Sequence, residues 1–171
     1  MDYDAGRAES YRSIGTILQL KGANDSALEY LMKAQSTYIQ IRDREGLATC
    51  YNNIGYTHKL KGEYDKAIEY FYKALEIADE LGYKRQMART FNNIGSVHQM
   101  GDSNDKAIEV FEKSLDFYSE IGYNRGKAIC SINLGISYFN EGDFVKALEY
   151  HENALVIHSE NKCHPGDRSK V

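Results

Sequence analysis

Apolar residues fall along this chain in short amphipathic blocks, and the blocks recur every forty residues. The stretch YNNIGYTHKLKGEYDKAIEYFYKA, Tyr51 to Ala74, returns as FNNIGSVHQMGDSNDKAIEVFEKS from Phe91 to Ser114. It is anticipated by YRSIGTILQLKGANDSALEYLMKA from Tyr11 to Ala34 and followed by SINLGISYFNEGDFVKALEYHENA from Ser131 to Ala154. Each block reads as two amphipathic helices around a turn rich in Gly, Asp and Asn: KGAND, KGEYD, GDSND and EGDFV. The pattern predicts first helices over Ala8–Leu20, Leu47–Leu60, Met87–Met100 and Lys127–Phe139. It predicts second helices over Asp25–Arg42, Asp65–Leu81, Asp105–Ile121 and Val145–Glu160, with Asp25, Asp65 and Asp105 at the positive end of the helix dipole. The connections Asp43–Gly46, Gly82–Gln86 and Gly122–Gly126 read as short linkers, with Gly82 and Gly122 placed as helix C-caps. In the third turn Gly101 comes one position early, so that turn is expected to differ locally.

Some columns of the repeat carry information beyond polarity. Gly15, Gly55, Gly95 and Gly135 stand at one position inside the first helices. A helical glycine costs about 1 kcal/mol relative to alanine, so four of them need a compensating contact. Close approach of the second helix of each hairpin supplies one. Ala27, Ala67, Ala107 and Ala147, with Ala34, Ala74, Ser114 and Ala154, give the same message from the other side.

The units lie at about 8–47, 48–87, 88–127 and 128–160, so residues 1–160 read as one array. Residues 1–8 align with Ile41–Ala48, so the chain starts in phase, as would a piece of a longer array or a natural start within a linker. Residues 161–171, NKCHPGDRSKV, are polar and hold the single proline; they are expected to be disordered. No further amphipathic helix follows the last hairpin. Its outer apolar face is expected to be exposed or covered by another chain, which leaves room for a homo-oligomer built through uncapped terminal repeats.

Composition narrows the function classes. Of 171 residues 42% are hydrophobic and 27% charged, which suits a globular domain. The net charge of −4 gives no basic footprint for nucleic acid. There is no signal-peptide pattern and no apolar run of about eighteen residues, so no membrane partner is expected. Cys50 and Cys130 share a column two repeats apart, too far for a disulfide in a stacked array, and a reducing, cytoplasmic setting is the default. His58 and His98 share a column without Cys or carboxylate at ligand spacing, so no metal is expected. No phosphate-binding glycine loop and no nucleophile–base arrangement stands out. The chain is therefore read as no enzyme, with no cofactor.

The columns resemble the tetratricopeptide repeat. The aromatic column is Tyr11, Tyr51, Phe91 and, departing, Ser131; the Leu-Gly column is Ile14-Gly15, Ile54-Gly55, Ile94-Gly95 and Leu134-Gly135. The closing proline of that family is missing, with Ile39, Asp79, Ser119 and Ser159 in its place, so the second helix continues and the period lengthens. This longer variety is similar to the repeats of kinesin light chains, spindle-orientation scaffolds and bacterial peptide-sensing regulators. The resemblance implies an all-α, right-handed solenoid of four antiparallel hairpins whose first helices line a concave face.

On that face the resemblance places Asn52, Asn53, Tyr56 and Lys59 from the second unit, Arg89, Asn92, Asn93 and Gln99 from the third, and Asn133 and Phe139 from the fourth. Asparagine is a poor helix former, so its repetition calls for a reason. In one reading Asn53, Asn93 and Asn133 form a ladder for the N–H and C=O groups of an extended peptide. In the other they bond neighbouring helices and hold the stack. Tyr56 and Phe139 offer apolar contact, and Lys59 and Arg89 offer charge for acidic groups. The family's carboxylate clamp is not reproduced: Arg12 and Thr16 stand at its first two places and Asn93 where its arginine belongs. The implied function is a non-enzymatic protein- or peptide-binding scaffold. The alternatives are a structural or self-association module, or the sensory part of a larger signalling regulator.

Overall fold

The computed structural model describes residues 2–162. These residues form eight helices and no strands: α1 (Asp2–Leu20), α2 (Asn24–Ile41), α3 (Arg44–Leu60), α4 (Tyr64–Glu80), α5 (Lys84–Met100), α6 (Asn104–Glu120), α7 (Asn124–Asn140) and α8 (Phe144–Lys162). Successive odd–even pairs pack as hairpins, and each even helix also packs on the next odd one. The odd helices of adjacent hairpins touch each other, whereas the even helices do not. The odd helices therefore lie on the inside of the curve. The architecture is the expected all-α solenoid.

Each hairpin closes on its glycine. Leu31, Phe71 and Phe111 are fully buried over Gly15, Gly55 and Gly95, where an added Cβ would come within 2.7, 2.8 and 2.6 Å of them. In the fourth hairpin His151 takes that place over Gly135, at 2.8 Å. The propensity lost at these glycines is thus exchanged for burial of a large side chain, which stabilises by about 1.5–3 kcal/mol. Ala27, Ala67 and Ala107 are fully buried at the same contact. Ser114, standing in an alanine column, donates its hydroxyl to the Ala88 carbonyl at 2.7 Å.

The odd helices α3, α5 and α7 start three residues earlier than the pattern predicts, at Arg44, Lys84 and Asn124, so the connections shrink to two or three residues. The reason is that Gly46 and Gly126 are helical residues under a ring. An added Cβ at Gly126 would stand 2.5 Å from Tyr118 Cδ1, and one at Gly46 would collide with the Tyr38 ring. At the intervening junction the sizes are exchanged: Ala78 and Gln86 occupy the equivalent places. Asp43 caps α3, its Oδ1 accepting from the Gly46 N–H at 2.8 Å.

The turns share one backbone. Gly22, Gly62 and Gly142 adopt φ of 75°, 75° and 81°, and the N–H after each glycine bonds back to the carbonyl five residues earlier, as Glu63 to His58 at 2.9 Å. The third turn keeps this geometry although its glycine comes early. Asp102 takes the left-handed position with φ 55°, and Arg42 does the same with φ 59° where Gly82 and Gly122 stand in later units.

Among the described residues both ends of the stack carry exposed apolar side chains. Ile54, Ile94 and Leu134 are fully buried while their counterpart Ile14 is 39% exposed, and Leu148 is 61% exposed where Leu28 is 9%. Helix α8 runs to Lys162, past the expected end at Glu160. The rest of the tail expected to be disordered, 163–171, lies outside the described residues. Among the described residues no helix is long and apolar enough to cross a membrane.

Candidate functional site

The inner face is built from α1, α3, α5 and α7, and a row of amides runs along it from one hairpin to the next. Asn53 donates its Nδ2 to Thr16 Oγ1 at 3.2 Å. Asn93 donates to Asn52 Oδ1 at 3.2 Å, and Asn133 donates to Asn92 Oδ1 at 2.9 Å. Asn52, only 3% exposed, passes the chain on by donating to Thr90 Oγ1 at 2.9 Å. Asn52 and Asn92 therefore stand behind the row, and Asn53, Asn93 and Asn133 are half-buried in front. Each front amide bonds the stack through Nδ2 alone; its Oδ1 takes no hydrogen bond within the described residues. The two sequence readings of these asparagines are thus not exclusive in geometry.

The centre of the face holds Tyr56, 38% exposed, with Lys59 Nζ over its ring at 4.5 Å from the centroid. Lys59 also donates to Ser96 Oγ at 3.3 Å. Burial lowers the Lys59 pKa, and no carboxylate is within ion-pair reach of it among the described residues. Gln99 donates to Ser137 Oγ at 3.0 Å and to the Asn133 carbonyl at 3.4 Å. Gln19 makes the same pair of bonds one double unit earlier, to Thr57 Oγ1 and the Asn53 carbonyl. Phe139, 60% exposed, packs edge-on against Phe144 with centroids 5.4 Å apart, at the mouth of the last turn. Arg89 lies toward the other rim, Nη2 donating to Gln86 Oε1 at 2.9 Å.

His58, Cys50 and Cys130 are packed into the stack. His58 is 5% exposed, stacked on Tyr70 and 2.9 Å from Glu63 Oε2. Burial pushes the Cys50 and Cys130 thiols up to about 12 and about 11, far from the range of a nucleophile. Both are free and buried. Among the described residues no three His, Cys, Asp or Glu converge as metal ligands.

Besides its forty-residue period the array repeats at eighty, a layer of which the sequence reading singled out only the cysteine pair. Tyr38 and Tyr118, Gly46 and Gly126, Cys50 and Cys130, and Gln19 and Gln99 are each eighty residues apart, with a different residue between them. Buried Thr57 and Ser137 follow the same rule as acceptors for the two glutamines. Comparing alternate units, and not adjacent ones, would have found this second layer.

The sequence matches the family described as tetratricopeptide repeat over residues 6–80 and 86–160, two stretches that coincide with the two double units. The chain belongs to the tetratricopeptide repeat family. No curated protein matches it. Among solved structures it is similar to BtubC (BKLC) from P. vanneervenii, at 24% identity and a TM-score of 0.82, over 96% of this chain and 68% of that one. It is also similar to aspartyl phosphate phosphatase F from Bacillus subtilis, at 19% identity and a TM-score of 0.88, over 93% of this chain. A Rap protein complexed with Competence and Sporulation Factor matches at 18% identity and a TM-score of 0.85, over 92% of this chain. The chain spans 42% and 44% of the last two. At these identities the likeness is one of fold.

Proposed function

We propose that this chain is a non-enzymatic scaffold that binds a protein or an extended peptide segment along the inner face of its odd helices. The observation that carries the reading is the amide row. Asn53, Asn93 and Asn133 are tied in place by one N–H each and keep an unfilled acceptor and a second N–H for the backbone groups of a partner. A fixed row of this kind binds without ordering its own side chains, which lowers the entropic cost of association. Tyr56 with Lys59 is the anchor at the centre, and Arg89, Gln99 and Phe139 extend the contact toward the rims. A related fold is known in complex with Competence and Sporulation Factor, which supports a solenoid of this shape as a receptor for another molecule. A cytoplasmic location fits the buried, free thiols.

The test uses peptides selected from a random display library on the immobilised chain. Asn53→Ala with Asn93→Ala is expected to weaken them at least tenfold, taking about 1 kcal/mol for each lost hydrogen bond. Thr16→Ala removes only the stack partner of Asn53 and is expected to leave binding nearly intact. Equal losses from Thr16→Ala and Asn53→Ala would show that the amides serve the stack alone.

A second reading has its own observation. On α8, Phe144, Val145, Leu148, Leu155 and Val156 are 53–80% exposed, and among the described residues α8 packs on α7 alone. End-to-end self-association through this face predicts a molar mass that rises with concentration and falls back to the monomer in a Leu148→Glu, Leu155→Glu variant. A concentration-independent monomer removes it.

A further inference from the structure

At the N-terminal ends of the odd helices, two clefts related by the eighty-residue repeat differ in charge. The first lies between α1, α2 and α3, and the second, with a volume of about 860 Å³, between α5, α6 and α7. Tyr38 over Gly46 in the first corresponds to Tyr118 over Gly126 in the second. The charges differ in one direction: Glu9 and Glu45 are replaced by Arg89 and Arg125, Asp43 by the neutral Tyr123, and Ala5 by Arg85.

The first cleft satisfies itself. Its Glu9 carboxylate accepts from the Tyr38 hydroxyl at 2.9 Å and from Arg12 Nε at 2.9 Å, and the Arg12 pair holds the Glu9 pKa below its ordinary value. The second cleft has the same tyrosine and no such carboxylate. Tyr118 is 7% exposed, and its hydroxyl has no hydrogen-bond partner among the described residues; burial first of all pushes it up to about 12. Gln86 Nε2, in the same wall, is buried without a partner. The Arg85 guanidinium sits over the Tyr123 ring, 4.4 Å from its centroid, and its N–H groups make no hydrogen bond to a carboxylate among the described residues. Neither Arg85, Arg89 nor Arg125 pairs with a carboxylate among the described residues. Crowding by the protein around Arg89, and the like charges of Arg12 and Arg85, lower its pKa. Glu45, which borders this cleft as well, is taken by the Tyr83 hydroxyl at 3.1 Å. The second cleft thus sets three arginines without an ion-pair partner, a tyrosine hydroxyl and an amide N–H against the single carboxylate of Glu45 at its border.

We propose that the cleft between the third and fourth hairpins is a carboxylate-binding subsite, taking an Asp or Glu side chain of a partner between Arg85, Arg89, Arg125 and the Tyr118 hydroxyl. The incoming carboxylate takes the part that Glu9 plays in the first cleft. The partner as its source rests on the groove reading above; the anion site itself does not. It also gives the groove a polarity, because the first cleft is internally neutralised and the second is not, so an acidic residue sets which end of a partner lies on the later hairpins. The site is distinct from a clamp spread across three hairpins, since all its donors come from one junction.

The test is an NMR titration of the whole chain at low ionic strength, following arginine Nε–H signals and the Tyr118 ring. The probe is acetyl-triglutamate amide, with acetyl-triglutamine amide as its neutral twin. Saturable shifts at Arg85, Arg89 and Tyr118 are expected with the first peptide and not with the second. Arg89→Glu, and separately Arg125→Glu, are expected to weaken the probe by about tenfold or more, because each reverses one arm of a charge-assisted contact. Arg42→Glu, at an exposed arginine in another junction, is expected to change it by less than about twofold once the long-range charge is screened by salt. The Asn53→Ala, Asn93→Ala variant is expected to keep the probe, which separates failure of this subsite from failure of the groove. Absence of shifts, an equal response to the triglutamine peptide, or equal loss in Arg42→Glu overturns the proposal. Tighter binding of inorganic phosphate than of triglutamate overturns the carboxylate assignment in favour of a phosphoryl group.

Discussion

Gly126→Ala and Gly6→Ala make the same change in the same column of the repeat, and the structure predicts opposite signs. At Gly6, in exposed α1, an added methyl meets nothing within 4 Å. Only propensity acts there, so Gly6→Ala is expected to stabilise by up to about 1 kcal/mol, less if the first turn frays. At Gly126 the methyl would stand 2.5–2.6 Å from three atoms of the Tyr118 ring. That ring is 7% exposed, lies against Tyr123 at 5.5 Å between centroids, and must move by about 1 Å to restore ordinary contact. Overpacking of this kind costs about 1–3 kcal/mol, and a boxed-in ring belongs at the upper end. Set against the propensity gain of about 1 kcal/mol, the expected net loss is about 2 kcal/mol. For a chain of this size that lowers Tm by roughly 4–8 °C, with the damage concentrated at the junction of the third and fourth hairpins because repeats couple to neighbours. Thermal unfolding by circular dichroism measures the whole, and amide exchange in α6 and α7 locates it. Tyr118→Ala with Gly126→Ala is expected to show favourable coupling, since Ala78 lies opposite the larger Gln86 at the preceding junction. A Gly126→Ala protein as stable as its parent would refute the reasoning that large and small residues are matched across junctions.

Three further outcomes are expected. Asp102→Gly removes a side chain from the left-handed position, φ 55°, and is expected to raise stability by about 0.5–1 kcal/mol, read as a shift in the urea midpoint. Hydrogen bonds from Lys66, then Lys61 and His58, lower the Glu63 pKa from 4.5 to about 2. A depressed folded-state value means that its contribution is present above about pH 4.5 and is lost as pH falls toward 2. Carboxyl NMR of Glu63 should therefore titrate near 2, and Glu63→Gln should flatten the stability curve across that window; an ordinary midpoint near 4.5 would refute the three-donor arrangement. In a Cys163→Ser background the raised, buried thiols of Cys50 and Cys130 are expected to react with a disulfide reagent only at the rate of opening of the stack, and reaction at the rate of a free peptide thiol would contradict their burial.

The hairpins were legible because burial leaves a periodic trace. A glycine that must lie under Phe71 or Phe111 recurs every forty residues, and so does the alanine beside it. Helix starts were less legible. Gly46 and Gly126 look like linker glycines until the ring stacked on each is seen, because a helical glycine under a side chain and a turn glycine are written alike. The early glycine of the third turn led to the expectation of a local difference that the structure does not show, because the backbone absorbs the shift by placing Asp102 in the left-handed position. That the asparagines stand on the odd helices was legible from the repeat. Which atoms they keep free was not, since hydrogen bonds such as Asn93 to Asn52 join residues 41 apart through side-chain rotamers. The two clefts were hidden for a different reason: the comparison that exposes Glu9 against Arg89 skips a unit.

The central claim is that the inside of the curve, and not the outside, receives a partner. An outer cleft exists between α4 and α5, bordered by Tyr72, Glu76 and Phe91, so the two faces can be set against each other in one assay. Peptides selected on the native chain would be titrated by calorimetry into an inner-face variant, Asn53→Ala with Asn93→Ala, and an outer-face variant, Tyr72→Ala with Glu76→Ala. Loss of at least tenfold in affinity in the first and less than twofold in the second is the predicted result. The reverse order would contradict the claim.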